Sequence, residues 1–368
     1  MFKPYSLILA GLIFVVSLAS YGADKQPLRV LSWEGYVTEH DLTAVNKLLQ
    51  EQGYAYEVEV IKPFAEGAQQ MFDLIRAKKC DIAFLTLFFI KMENQQISKF
   101  LQSINIHSPR LSHYKNLLPS LTHLNMGLNE QSTPLYIPWG GGSYGFYIDR
   151  NKVAKEDVPT SVSDLWLDKW KNQFSLNQSQ HWYNVGLALM SMGKSPFYLY
   201  EMAQSNKLTK LEEDKIYSEI QLKLNDLYKN TGGFWKASTK FNERLLIVSS
   251  WGPEITRENK KGADWQKIDF KEGQMVWLDT INLVNFLSDE KREAAEIFAN
   301  YFIGEKVQSR ISRELTMVAA SSLAPPNNVL GDPEHVFKQH MFVPPFDSHS
   351  FKAMKRMAGK AKIKVENK

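Results

Sequence analysis

Short apolar runs alternate with helically spaced apolar positions through the first ninety or so residues. Leu28, Val30 and Leu31, with Arg29 among them, predict a short and mostly buried strand over 28–32 that stops at Trp33-Glu34-Gly35-Tyr36. Over 39–52, Leu42, Val45, Leu48 and Leu49 share one helical face, and Gly53 stands where a C-terminal cap belongs. Residues 56–61 alternate like a strand, and 66–78 put Met71, Leu74 and Ile75 on one face of a second helix. The apolar run 81–85 then predicts a buried strand that ends in Thr86-Leu87-Phe88-Phe89. A β-α-β-α-β order of this kind predicts an α/β fold with a mostly parallel sheet and right-handed crossovers.

Further along, Leu135-Tyr136-Ile137-Pro138-Trp139 runs into Gly140-Gly141-Gly142, where the backbone bends sharply or approaches something closely; a first crossing between two domains is expected there. Strands are predicted over 145–149 and 174–176. A helix is predicted over 161–170, capped by Ser161 or Ser163, with Leu165 and Trp166 inward. Gln178-Ser179-Gln180-His181 leads into an apolar helix over 182–192, and 211–228 is strongly amphipathic. The strand predicted over 244–250 ends in Trp251-Gly252-Pro253-Glu254. In the strand over 275–279, Trp277 and Asp279 stand two positions apart and so share a face; a second crossing is placed here. Residues 289–302 form a helix closed by Gly304. Internal repeats and low-complexity segments are absent from the sequence.

Residues 1–22 read as a secretory signal peptide rather than as part of the fold. Lys3 supplies the positive start, 7–18 is an uncharged apolar run, and Ser20 and Gly22 are small residues before a cut at Ala23. The run is too short to span a bilayer comfortably, and no cysteine follows to carry a lipid, so a periplasmic location is expected. Its removal takes only Lys3, so the formal charge of +4 becomes +3. Basic residues are scattered apart from Lys352, Lys355, Arg356, Lys360, Lys362 and Lys364, a solvated helix face or frayed tail, which leaves nucleic-acid binding little support. The lone Cys80 excludes an intrachain disulfide, and the dispersed histidines have no metal-binding spacing, so neither metal nor cofactor is expected.

Candidate chemistry concentrates at strand ends, outside whose carboxyl termini an open α/β sheet binds ligands. Four such ends deliver an aromatic residue: Trp33 with Glu34 and Tyr36, then Phe88, then Trp251, then Trp277 with Asp279. Taken alone, such an end fits a capped core edge with a solvated acid better than a binding site. Together, rings beside anions suit an organic cation, which the ring faces attract and the carboxylate pairs. Trp166, Trp170, Trp235 and Trp265 read as core. Trp139 stands between the two readings, as do His181 and Trp182 at their helix entrance, and Glu254 and Asp347 are weaker candidates.

Five stretches, in this order and spacing, make the chain resemble the bacterial periplasmic polyamine-binding proteins of the spermidine/putrescine type over nearly its whole length. They are Ser32-Trp33-Glu34-Gly35-Tyr36-Val37, Ile137-Pro138-Trp139-Gly140, Ser163-Asp164-Leu165-Trp166, Trp251-Gly252 and Val276-Trp277-Leu278-Asp279-Thr280. The resemblance implies the two-lobed type II periplasmic binding protein fold, an α/β architecture with two crossings between lobes and a ligand cleft between them. Lobe 1 is expected to comprise 23–136 plus 278–330, and lobe 2 137–277 plus 331–368. It also implies a monomer that binds a small polyamine such as spermidine, norspermidine or putrescine. The partner is an inner-membrane ATP-binding cassette (ABC) permease or a membrane signalling protein.

Carried over residue by residue, Trp33, Tyr36, Trp251 and Trp277 match the family's aromatic box, and Asp279 the carboxylate that grips an amine. Phe88 falls where the family often has Tyr, keeping the ring without the hydroxyl. The chain departs in placing Gly35 directly before Tyr36, with Glu34 one residue earlier than the family's acid. Gln180 and Tyr183 occupy positions that hold carboxylates in spermidine-type members. Each ammonium left without a partner costs several kcal/mol, more than a ring contact contributes. A different polyamine, with carbonyls, hydroxyls or Glu34 in place of the lost acids, or a less cationic ligand is therefore expected; a receptor tuned to norspermidine is compatible with these changes.

An enzyme on the same scaffold would use Cys80 as nucleophile. Cys80 lies at the start of a strand beside Lys78 and Lys79, away from the strand ends and without a His near it in sequence. That is the pattern of a buried free thiol, and no catalysis is expected.

Overall fold

The apolar runs sort into two sheets with helices packed around them. In this computed structural model the described residues are 25–92, 96–325 and 332–366, so the expected signal peptide over 1–22 lies outside them. In chain order, β1 (Gln26–Leu31), β2 (Tyr56–Val60), β3 (Ile82–Thr86) and β4 (Ile137–Ser143) come first. The chain then changes sheet at Tyr144 for β5 (Gly145–Asp149), β6 (Phe174–Asn177), β7 (Gly233–Trp235), β8 (Ile247–Ser250) and β9 (Trp265–Lys267). It returns for β10 (Val276–Leu283) and β11 (Val318–Ala319). The six-stranded sheet runs β11-β4-β10-β3-β1-β2 and the five-stranded sheet β7-β6-β8-β5-β9.

β1 pairs in parallel with β2 and β3, as the alternation of strands and helices requires, while β10 lies antiparallel between β3 and β4. The helix Glu39–Glu51 connects β1 to β2 and starts at a capping box in which Thr38 and Asp41 satisfy each other's backbone N–H groups. Asp81 anchors this sheet: it accepts from the Arg29 side chain and lies 2.8 Å from Lys291 Nζ. Burial alone would raise its carboxyl, but the hydrogen bonds from Arg29 and Lys291 prevail and hold it below the usual carboxylate range. In the second lobe, the apolar helix His181–Ser191 packs between the sheet and the helices Lys215–Asn230 and Ser348–Glu366. The basic C-terminal stretch is thus a helix docked by its apolar face, not a frayed tail, as far as its described residues run.

Two local expectations change. Of the two readings of the triple glycine, the close approach is the one observed, because β10 runs against it: a Cβ on Gly141 would come 2.3 Å from the Trp277 carbonyl oxygen, and one on Gly142 would press on the Trp277 ring. Strand pairing accordingly puts 137–143 and Val276-Trp277 in the six-stranded sheet, whereas lobe 2 was expected to begin at 137 and to run to 277. The helix expected over 161–170 is two 3₁₀ turns, Val162–Trp166 and Asp168–Trp170, separated by the extended Leu167. Its cap is the expected one, Ser161 with Asp164.

Among the described residues no helix is long and apolar enough to cross a membrane. Cys80 is buried, and burial above all, with the neighbouring Asp81 carboxylate, pushes its thiol up to about 12. An aromatic disulfide reagent is therefore expected to leave the native protein unlabelled at pH 8 and to react fully after denaturation. Rapid stoichiometric labelling of the native protein would contradict this burial.

Candidate functional site

Where β1 ends, the chain reverses in a tight turn in which the Tyr36 N–H donates to the Trp33 carbonyl at 3.3 Å. Gly35 sits there at φ +82°, in the left-handed region that a side chain would strain. Arg310, on the helix Glu305–Glu314, clamps the turn from outside. Its guanidinium donates to the carbonyls of Gly35 (3.3 Å) and Tyr36 (2.8 Å) and to Asp41 (2.8 Å). The Trp33 indole N–H is used up on the Phe84 carbonyl at 3.1 Å. This framework turns Tyr36 inward, its ring 4.3 Å from Trp139 and 5.7 Å from Phe84.

The Tyr36 hydroxyl donates to Asp279 Oδ2. Asp279 lies on the central strand β10, opposite Thr86 of β3 and Gly140 of β4, and is 3% exposed. Its Oδ1 has no hydrogen-bond partner among the described residues. Burial pushes this carboxyl up to about 6, against the hydrogen bonds from Tyr36 and Thr86, which favour the ionised form. Two residues earlier on the same strand face, Trp277 is 8% exposed and its indole N–H also lacks a protein partner.

The five-stranded lobe meets this face with rings of its own. Trp251, just past β8, stands edge-on to Trp277 at 6.5 Å and packs against Tyr144 (5.1 Å), Tyr183 (5.2 Å) and Trp235 (5.7 Å). Tyr183 tilts over Tyr144 at 4.9 Å; burial, and after it the charge of Asp279 across the interface, raise its hydroxyl pKa. Trp182 continues the wall, 6.0 Å from Tyr183 and 5.9 Å from Phe88 of the other lobe. The lobes also touch where the Thr316 hydroxyl donates to the Gly252 carbonyl at 3.0 Å.

Tyr36, Phe88, Trp182, Tyr183, Trp251, Trp277 and Asp279 thus meet in one chain of contacts. Trp33 supports the turn from a half-buried position. Glu34 is left exposed on the turn, outside the rings. Gln180 is half-buried just before its helix and enters through its backbone N–H, which donates to Asn177 Oδ1 at 2.8 Å. His181 turns to Trp182 and Phe351, toward the C-terminal helix; burial, helped by the charge of Lys355, pushes its imidazole down to about 4. Glu254 is engaged by Ser250 and Arg257. Asp347 accepts from the backbone and hydroxyl of Ser350.

Sequence reasoning missed Tyr144, Phe346 and Arg310 and placed Trp235 in the core. Tyr144 had a signal, since it stands at the change of sheet directly after the glycine strand. Trp235 does pack in the core, yet its indole N–H and the Tyr144 hydroxyl both reach Ser249, so it backs Trp251. Phe346, 6.1 Å from Trp182, comes from irregular chain, and Arg310 from an unremarkable helix face; neither carried a pattern. A surface groove lined by Leu48, Arg110, His113, Tyr301 and Lys306 contains none of the candidate residues.

A family profile described as bacterial extracellular solute-binding protein matches residues 69–335. A comparison with curated proteins by sequence finds no match. Solved structures are similar over almost the whole chain. The spermidine/putrescine ABC transporter substrate-binding protein PotD from Streptococcus pneumoniae strain Canada MDR_19A is 16% identical, with 93% of this chain and 100% of that one covered and a TM-score of 0.69. The Tp0655 (TpPotD) lipoprotein of Treponema pallidum is 12% identical, with 91% and 99% covered and a TM-score of 0.69. The Atu4243-GABA receptor is 12% identical, with 92% and 98% covered and a TM-score of 0.62. At such identities the likeness shows the fold, the two-lobed type II periplasmic binding protein architecture.

A carboxyl whose folded pKa is raised contributes stability at low pH that is lost as pH climbs through the folded value. From the ordinary 3.8 to about 6, the loss on ionising Asp279 is on the order of 2–3 kcal/mol in the ligand-free protein. Asp279→Asn is therefore expected to gain stability relative to wild type between pH 4 and pH 7.5. Denaturant unfolding of both proteins across this range measures it, and a pH-independent difference between them would refute the assignment.

Proposed function

Because the chain belongs to the family of bacterial extracellular solute-binding proteins, we propose that it binds a small aliphatic amine of the polyamine class between its two lobes. The class includes putrescine, spermidine and norspermidine. The observation that carries this reading is Asp279, a buried carboxylate with one oxygen held by Tyr36 and the other without a hydrogen-bond partner among the described residues, on the strand face of Trp277, whose ring meets Trp251 and through it Tyr183. An ammonium donates to that oxygen, neutralises the charge where water is excluded, and lays its methylenes along the rings. Tyr144, Trp139 and Trp235 stiffen the walls, and Arg310 positions the turn that presents Tyr36.

The lobes of this reading are 25–143 with 276–325, and 145–267 with the C-terminal helix. They close on the ligand as a hinge, and a membrane partner in the periplasm distinguishes the closed from the open surface. An ABC permease fits the likeness to PotD, a spermidine/putrescine ABC transporter substrate-binding protein; a signalling receptor uses the same closure. Cys80, buried at the far end of β3 from Asp279, is no part of the site, and the protein acts as a monomeric binder rather than an enzyme.

Calorimetry with putrescine, spermidine, norspermidine and an amino-acid panel tests the reading. Heat is expected with amines, weakened about a hundredfold or more in Asp279→Ala, because the ammonium loses its buried counter-charge. Trp251→Ala is expected to weaken binding about tenfold, and Cys80→Ser to leave it near wild type. Heat only with uncharged or anionic compounds would overturn the proposal.

A further inference from the structure

A second property of the ring-lined face concerns donors rather than charge. Asp279 Oδ1 and the Trp277 indole N–H are both buried, both without a protein partner, and both on one face of β10. Two residues along a strand, their backbones stand about 7 Å apart. Indole can only donate, and so can an ammonium. A free diamine or triamine therefore satisfies Asp279 but leaves the Trp277 donor unpaired in a buried space, where a donor without an acceptor is costly. Its second ammonium, moreover, finds no second acid among the described candidate residues: Gln180 and Tyr183 carry no charge, and Glu34 is exposed.

Resting on the reading of this cleft as an amine site, we infer that its preferred ligand carries one ammonium for Asp279 and, a few bonds away, an uncharged hydrogen-bond acceptor for Trp277. A monoacylated diamine, with an amide carbonyl at the second nitrogen, has this chemistry. The acceptor is uncharged because the side chains acting on Asp279 are the hydroxyls of Tyr36 and Thr86, with no basic group among them. A carboxylate on the ligand would sit beside the Asp279 charge without a counter-ion.

Four compounds separate the possibilities: putrescine, N-acetylputrescine and 4-aminobutyrate, which share a four-carbon chain, and norspermidine, each titrated calorimetrically into the wild-type protein. N-acetylputrescine is expected to bind about tenfold or more tighter than putrescine, and Trp277→Phe, which keeps a ring but removes the N–H, to reduce that preference about two- to tenfold. If putrescine or norspermidine binds as tightly or tighter, this inference fails while the amine reading stands. If 4-aminobutyrate binds tightest, the uncharged acceptor is wrong. If none of the four produces heat, the amine reading falls as well.

Discussion

A carboxylate buried on a central strand, with a hydrogen-bonding partner for only one of its oxygens, is the constraint around which the interface is arranged. Two aspartates of the six-stranded sheet show the contrast. Asp81 is buried with both oxygens engaged by cations, Arg29 and Lys291, and its ionised form is favoured. Asp279 is buried with hydroxyls for company, and its ionised form is disfavoured. The first is a finished structural anchor. The second retains an unmet demand for a donor, preferably a charged one, and a demand of that kind is what a binding site for a cation consists of.

The surroundings keep that demand from being met by the protein itself. Glycines of β4 let β10 approach closely, so the Trp277 ring lies over Gly142. The Gly35 turn is held at both carbonyls by Arg310, which fixes where the Tyr36 hydroxyl reaches. Rings from the second lobe close the remaining directions. Edge-to-face and tilted contacts leave ring faces available for a positive group, and the bulk of Trp251 and Tyr183 excludes water, so the Asp279 charge is weakly screened. These rings come from the lobe that does not contain Asp279, so the interface draws on both lobes.

Much of this was legible along the chain. The strand–helix alternation of the first third follows from apolar spacing, because a strand or helix must bury one face whatever its later partners are. Trp277 and Asp279 were readable as neighbours, since period two is a local property of a strand. The cap at Ser161, one of the two expected there, is likewise local. The helix expected after Ser161 is instead two 3₁₀ turns broken at the extended, solvent-exposed Leu167, a break that the apolar spacing does not signal.

What the sequence determined by itself is therefore the set of elements and the chemical character of the strand ends, properties that depend on residues a few positions apart. Only the tertiary structure decided which of those ends face each other. Tyr36 and Asp279 are far apart in the chain, and nothing local tells that they share a proton donor and acceptor, or that Glu34, one turn position away from Trp33, stays outside. The same holds for Tyr144 and Arg310, whose parts depend on sheet pairing and helix docking across the fold. Long-range contacts come from the packing of whole elements, so a side chain's neighbours across a cleft are written in no single stretch of sequence.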